Sequence, residues 1–332
     1  MNKIKSLLRR ILRRILRRSP SIRGDEDYRR EVDEYFQRLV TEGPERDIVE
    51  LVGQSVEKLT QKVQASINVE AIQNYLALSR RQWVPKIYRH QKLAKYPSVE
   101  RFVGGWWLTD DGLALSRRMI FKGLPKAFLD RRGEMTALDI GCGGGRLLKE
   151  FSRDFKELHG IDVSSQMVKF AQEHLRQGSI ENVHPVTGDG FTLLVYPEAK
   201  FDFVYSTISF EHIKTLSVLK VYYAEIYRVL RRGGWFSIQT FWQPGKRLPS
   251  SFEATTDTLE VNKDDLTDWP QGINLNPCEV EALFRDAGFS TIQNLIVRRA
   301  DRTWRIGDSD PSEVANPSSG EDVWIWTFGT KD

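Results

Sequence analysis

The stretch ALDIGCGGGR, residues 137–146, is where residue types and spacing most clearly suit chemistry. A short apolar run leads into Gly141, Gly143 and Gly145, and a helical pattern follows. Glycines at such a turn let the backbone fold back tightly and let a ligand lie against it. Dinucleotide-binding proteins use a similar device, but their third glycine or alanine falls three residues after the second, where this chain has Arg146. Asp139, two residues before the first glycine, adds a carboxylate that would repel a pyrophosphate and suit an ammonium group.

A ligand with a cationic amino-acid end therefore fits this turn better than NAD does. S-adenosylmethionine has that end: an ammonium and a sulfonium for Asp139, and a carboxylate for the donors at a helix N-terminus. Three further stretches follow in order, ELHGIDVSSQMVKFAQEHL, FDFVYSTISFEHI and EIYRVLRRGGWFSIQTF. Together with the glycine turn they resemble the class I S-adenosylmethionine-dependent methyltransferases of the type 11 group. The resemblance runs from about residue 138 to 240, and NPCEVEALFRDAGFSTI, residues 276–292, resembles the helix and strand that usually follow.

The resemblance implies a cofactor shell. Asp162, 21 positions after Gly141, falls where an acid accepts hydrogen bonds from both ribose hydroxyls, with Val163 beside it. Cys142 belongs to the same shell within the glycine turn. Asp189 and Gly190, in Gly188-Asp189-Gly190, match the position where an acid meets the adenine amino group, although an aspartate between glycines also suits a plain turn. Ser206 falls where the fourth strand reaches the cleft, and the residues from there to His212, Phe210 included, are expected beside the reacting methyl group.

Methyl transfer is a displacement at an activated carbon, so much of the catalysis can come from alignment. A base is needed only if the acceptor must lose a proton early. His212 is the candidate, because imidazole titrates at about pH 6.5, and packing is its alternative role. Asp110, Asp111, Glu211 and Tyr205 rank below it. No metal-ligand spacing is present. The acceptor is expected against Trp106 and Trp107, which precede the core, and against Phe210, Trp242 and Trp269. The last two belong to the long excursion 242–276, which reads as a substrate-binding insertion.

These residues need a frame, and the pattern supplies one. Apolar runs at 137–140, 158–161, 183–186, 201–206 and 235–240 alternate with helical patterns at 146–155, 166–177 and 219–230, and a final β pair, 291–297 and 323–328, follows a helix over 278–287. Such alternation predicts an α/β, doubly wound, Rossmann-like sheet. Family resemblance makes it seven-stranded with the last strand antiparallel. The domain is expected over 101–332, preceded by a helical N-terminal region over 25–100. Within that region Val49, Val56 and Val63 with Val52, Leu59 and Ser66 follow a heptad, which predicts packing against a neighbouring helix of this chain or, alternatively, a homodimer through these helices.

The remaining signal is terminal. Residues 1–18 carry eight basic residues and no acid, with Ile4, Leu7, Leu8, Ile11, Leu12, Ile15 and Leu16 on one helical face. Such a basic amphipathic helix reads as an anchor on an anionic membrane surface; packing on the protein itself or service as a transit peptide are its alternatives. Setting those eight aside, 41 basic residues face 45 acidic ones, so the body of this 332-residue chain has no strong nucleic-acid signal. No apolar run reaches the ~18 residues of a membrane span, and Cys142 and Cys278 form no disulfide or zinc pattern. We expect a cytoplasmic protein, peripheral on the inner face of a membrane, that methylates a small-molecule, lipid-linked or glycan acceptor. The rivals are an RNA or protein methyltransferase using Arg228, Arg231 and Arg232, and a cofactor-binding scaffold without catalysis.

Overall fold

Seven apolar runs become the strands β1 (Thr136–Ile140), β2 (Glu157–Asp162), β3 (Val183–Thr187), β4 (Phe201–Ser206), β5 (Leu230–Trp242), β6 (Thr291–Arg298) and β7 (Val323–Thr330). They form one sheet in the order β3-β2-β1-β4-β5-β7-β6. β1 to β5 pair in parallel, whereas β7 is antiparallel to both β5 and β6. This is the expected seven-stranded, doubly wound sheet. The computed structural model describes residues 46–82, 110–245, 272–298 and, except for positions 320 and 322, 317–332.

β1 is buried along its whole length, as a parallel strand covered on both faces must be. Alternate residues enter different layers. Leu138 and Ile140 join the core that includes α8 (Leu216–Val229) and α9 (Pro277–Ala287), while Ala137 joins the one that includes α4 (Asp110–Phe121) and α6 (Arg146–Phe151). α5 (Lys126–Leu129) is a single turn before β1, and α7 (Ser165–Gln177) connects β2 to β3. β5 starts earlier than its apolar pattern because Arg231–Gly234 form an irregular stretch, with Gly233 at φ +73°, before regular pairing resumes at Trp235.

The N-terminal helices correct two expectations. The heptad is broken: α1 (Arg46–Glu57) ends in a turn before the short α2 (Gln61–Gln64), so Val52 is buried while Val49 is 54% exposed. α1 nevertheless packs on α3 (Val69–Gln82), a neighbouring helix of the same chain, as expected. The described residues of this region are not a separate unit either. Ile48, Val52, Ile72, Tyr75 and Leu76 share one core with Leu138, Ile161 and Val204 of the sheet. The Asn68 N–H also donates to Ser217 Oγ on α8 (2.7 Å).

Candidate active site

At the carboxyl ends of β1, β2 and β4 three turns line a cavity of about 180 Å³, together with Tyr75 of α3 and Tyr222 of α8. This is where open α/β sheets hold ligands. The first turn presents Asp139, Gly141, Cys142, Gly143 and Arg146; the second, Asp162 and Val163; the third, Thr207, Ile208, Ser209 and His212.

Gly141, Gly143 and Gly145 all have positive φ, +77°, +51° and +80°. A side chain on Gly141 would run into Ser209, and one on Gly145 would come within 2.9 Å of the Ala171 Cβ on α7. Gly145 thus permits the close helix contact that Arg146 could not. The turn uses its own donors: the N–H groups of Gly141 and Cys142 bond to Ile161 O (2.8 and 3.1 Å), that of Gly143 to Asp162 Oδ2 (2.9 Å) and that of Gly145 to Cys142 O (3.0 Å). What these four residues offer a ligand is close approach, not amide donors.

Two carboxyls lie on the cavity wall. Asp139 is only 3% exposed, and burial pushes its pKa from 3.8 up to about 7 against the pull of the Arg146 guanidinium. Asp162 is raised by burial too, opposed by N–H donation from Ser164 (2.8 Å) and Gly143 (2.9 Å). A carboxylate offers about four lone-pair sites, so Asp162 keeps acceptor capacity beyond those two bonds. Burial holds Tyr75 at about 12 and keeps the Cys142 thiol well above its usual range, so neither ionises near neutrality.

Residues 138–238, which span these turns, both acids and His212, match the methyltransferase domain family. They belong to the class I S-adenosylmethionine-dependent methyltransferases. Among proteins similar to the chain are the uncharacterized methyltransferase YcgJ of Bacillus subtilis (26% identity, covering 44% of this chain and 57% of that protein) and a sterol 24-C-methyltransferase of Gibberella zeae (28%; 48% and 40%). Phosphoethanolamine N-methyltransferase 2 of Caenorhabditis elegans is 32% identical over 33% of this chain and 24% of its own length. The matches thus span little more than half of these relatives at most. A solved structure of Haemonchus contortus phosphoethanolamine N-methyltransferase 2, with phosphomonomethylethanolamine and S-adenosylhomocysteine, aligns at TM-score 0.49 and 18% identity over 76% of this chain and 59% of that one.

Within the methyltransferase domain, Asp139, Gly141, Cys142, Gly143, Asp162, Val163, Gly190 and His212 line the one cavity, and other residues expected there do not. Ser206 is fully buried and donates to Ile140 O (2.6 Å), so it pins β4 to β1. Asp189 accepts from the N–H groups of Phe191 (3.0 Å) and Thr192 (2.7 Å), from the Thr192 hydroxyl and from Ser55 on α1 (3.2 Å), which makes it the organiser of its own turn. Gly145 packs on α7. Phe210 stacks on Tyr223 with centroids 5.8 Å apart and is core, not acceptor wall. Trp242 ends β5, partly buried against the core. Trp106, Trp107 and Trp269 lie outside the described residues, as do the side chains of Asp110 and Asp111.

Among the lower-ranked bases, Tyr205 is fully buried and its hydroxyl is held protonated by burial and by the charge of Asp139, while Glu211 does not line the cavity. His212 does line it, with its Nε2 3.6 Å from Glu211 Oε1. Thr207, Ile208 and Ser209 line the cavity as expected of the stretch 206–212, whereas Tyr75, Arg146, Met167 and Tyr222 were not anticipated there. Only Arg146 and Met167, inside matched motifs, carried a signal of position. The excursion after β5 returns beside the site: the Gly272 N–H bonds to Glu211 O (2.5 Å) and that of Ile273 to Ile213 O (2.9 Å), while Gln243 and Asn274 clamp its base (2.6 and 3.0 Å).

Proposed function

We propose that this chain binds S-adenosylmethionine in the cavity and transfers its methyl group to a small-molecule acceptor, with a lipidic or lipid-linked one preferred. The observation that carries the reading is the pair Asp139 and Asp162 on the wall of one cavity, at the ends of neighbouring strands. A buried carboxyl titrating near 7 is only partly ionised at neutral pH, and an arriving cation favours its anion. The ammonium of an amino-acid end supplies one, and Arg146 on the same wall suits the adjoining carboxylate. Asp162, with its spare lone pairs, would hold the ribose hydroxyls, and Val163 and Gly190 would flank the rest of the nucleoside.

When bound, the cofactor supplies a methyl group on a sulfonium, already activated for displacement. The chain supplies alignment, with Thr207, Ile208, Ser209 and His212 forming a further part of the cavity wall. His212 would take a proton from a hydroxyl or ammonium acceptor. Tyr75 and Tyr222 add two buried tyrosines to the lining.

The apolar and aromatic lining of the cavity supports an acceptor with an apolar body and one polar reacting group. The names of the sterol and phosphoethanolamine relatives point the same way. A glycan carried on a lipid fits both this preference and a membrane anchor in residues 1–18. The RNA reading loses two of its three arginines: Arg228 is bonded to Glu225, Tyr196 O and Leu193 O, and Arg231 to both oxygens of Asp202. Calorimetry with S-adenosylhomocysteine tests the cofactor assignment. Binding that Asp162→Ala weakens by about 1–3 kcal/mol is expected, and binding of NAD with none of S-adenosylhomocysteine would overturn it.

A further inference from the structure

Gln239 lies inside β5 with none of its surface exposed, where an apolar residue would serve packing as well. A buried amide costs stability unless its hydrogen bonds are made. Here they are made, all to one loop. Gln239 Oε1 accepts from the Thr207 hydroxyl (2.7 Å) and from the Ile208 N–H (3.0 Å), and Nε2 donates to Glu211 Oε2 (3.0 Å). This orientation cannot be reversed, because the Ile208 N–H only donates and must meet the amide oxygen. The nitrogen is left for Glu211. The amide is a peg inside residues 207–211, gripping the chain before and after Ser209.

The loop it grips has an uncommon shape. Ile208 has φ +63°, a region that β-branched residues seldom enter unless their surroundings impose it. That turn sets Ser209 against Gly141, and Ser209 O then accepts the His212 N–H (3.1 Å). The placement of Ser209 and His212 on the cavity wall therefore descends from how residues 207 and 208 are held.

We infer that Gln239 is a positioning residue for the acceptor side of the cavity: through Thr207, Ile208 and Glu211 it fixes the wall that bears Ser209 and His212, without touching a ligand itself. The inference rests on the reading that this cavity takes a methyl donor and an acceptor. Asp139 and Asp162, assigned above to the cofactor, stand on β1 and β2, and the hydrogen bonds of Gln239 go to Thr207, Ile208 and Glu211 and not to them.

The test uses the full chain, Gln239→Leu, Gln239→Glu, and the double exchange Gln239→Glu with Glu211→Gln. The double exchange restores one carboxylate and one amide with their roles swapped. Hydrogen exchange is followed on peptides covering 207–213, S-adenosylhomocysteine binding by calorimetry, and label transfer from methyl-labelled S-adenosylmethionine into the solvent-extractable fraction of a cell lysate. Gln239→Leu should accelerate exchange in that segment and cut label transfer by about ten- to a hundredfold, with a far smaller loss of S-adenosylhomocysteine affinity. Gln239→Glu alone, which opposes two carboxylates, should also be impaired, and the double exchange should recover both exchange protection and transfer. Unchanged exchange in Gln239→Leu, or affinity falling as far as transfer, would overturn the inference. If Gln239→Leu does not fold, the contrast between Gln239→Glu and the double exchange decides in its place. A wild-type chain that ignores S-adenosylhomocysteine would sink the cofactor reading instead, and the exchange data would still report on Gln239.

Discussion

Asp139 is the residue with the sharpest consequences, because its carboxyl is buried on the cavity wall where the proposed function needs a partner for an ammonium. Its folded pKa of about 7 lies above its ordinary 3.8, so the folded chain binds a proton that the unfolded chain has released between those values. The stability this group contributes is full below pH 3.8 and is lost as pH rises to about 7, at about 1.4 kcal/mol per pH unit in between. Denaturant melts should therefore show Asp139→Asn flattening part of that slope, with Asp162, raised in the same direction, keeping the rest. Binding has the opposite pH dependence. S-adenosylhomocysteine also bears the ammonium, so its affinity should rise toward pH 7, and binding near pH 6.5 should release a proton, seen calorimetrically as a heat that depends on the buffer. A buffer-independent heat would remove Asp139 from the ammonium site. His212 is tested more simply: as the base for a hydroxyl acceptor, its replacement by alanine should lower turnover by about 10² to 10⁴ while sparing cofactor affinity. Near-normal turnover would return it to packing.

Elements place these residues, and their legibility in the sequence differed by cause. The strands that carry Asp139 and Asp162 are short apolar runs ending at glycine or acid, and parallel pairing leaves such runs visible as unbroken apolar stretches. Position within a motif did not, however, reveal where a side chain points. Ser206 and Asp189 sit at motif positions, yet local hydrogen bonds to Ile140 O and to the Phe191 and Thr192 amides claim them. Tyr75 was hidden because its role depends on how α3 docks, a tertiary fact that helical periodicity does not encode. Gln239 was hidden inside what reads as an ordinary strand. The return of the excursion onto the His212 turn was equally illegible, and it makes Gly272 a point of test. A Cβ there would meet Ile213 O at 2.5 Å and Glu211 O at 2.8 Å, both backbone atoms. Gly272→Ala should therefore destabilise the chain by about 1–3 kcal/mol and speed hydrogen exchange in residues 210–213. An unaltered melting midpoint would mean that this contact is easily relaxed.

At the scale of the whole molecule, the described N-terminal helices complete the methyltransferase body. Ser55 bonds to Asp189, a side chain at Gly190 would strike Leu76, and Tyr75 lines the cavity, so a chain starting at residue 101 should lose S-adenosylhomocysteine binding along with stability. Removing only residues 1–18 should do neither. If that segment is a membrane anchor, its deletion should release the protein from anionic vesicles, to which each basic residue contributes about 1 kcal/mol, and Leu8→Ser with Leu12→Ser should weaken binding with every arginine still present. None of the described helices is long and apolar enough to cross a membrane. The most direct test of the central claim is incubation of the full chain with methyl-labelled S-adenosylmethionine and a cell lysate fractionated into lipid, glycan, RNA and protein. Label should enter the lipid or lipid-linked fraction with the wild type and fall away with Asp162→Ala. Label confined to RNA or protein, or none in any fraction despite tight cofactor binding, would contradict the account.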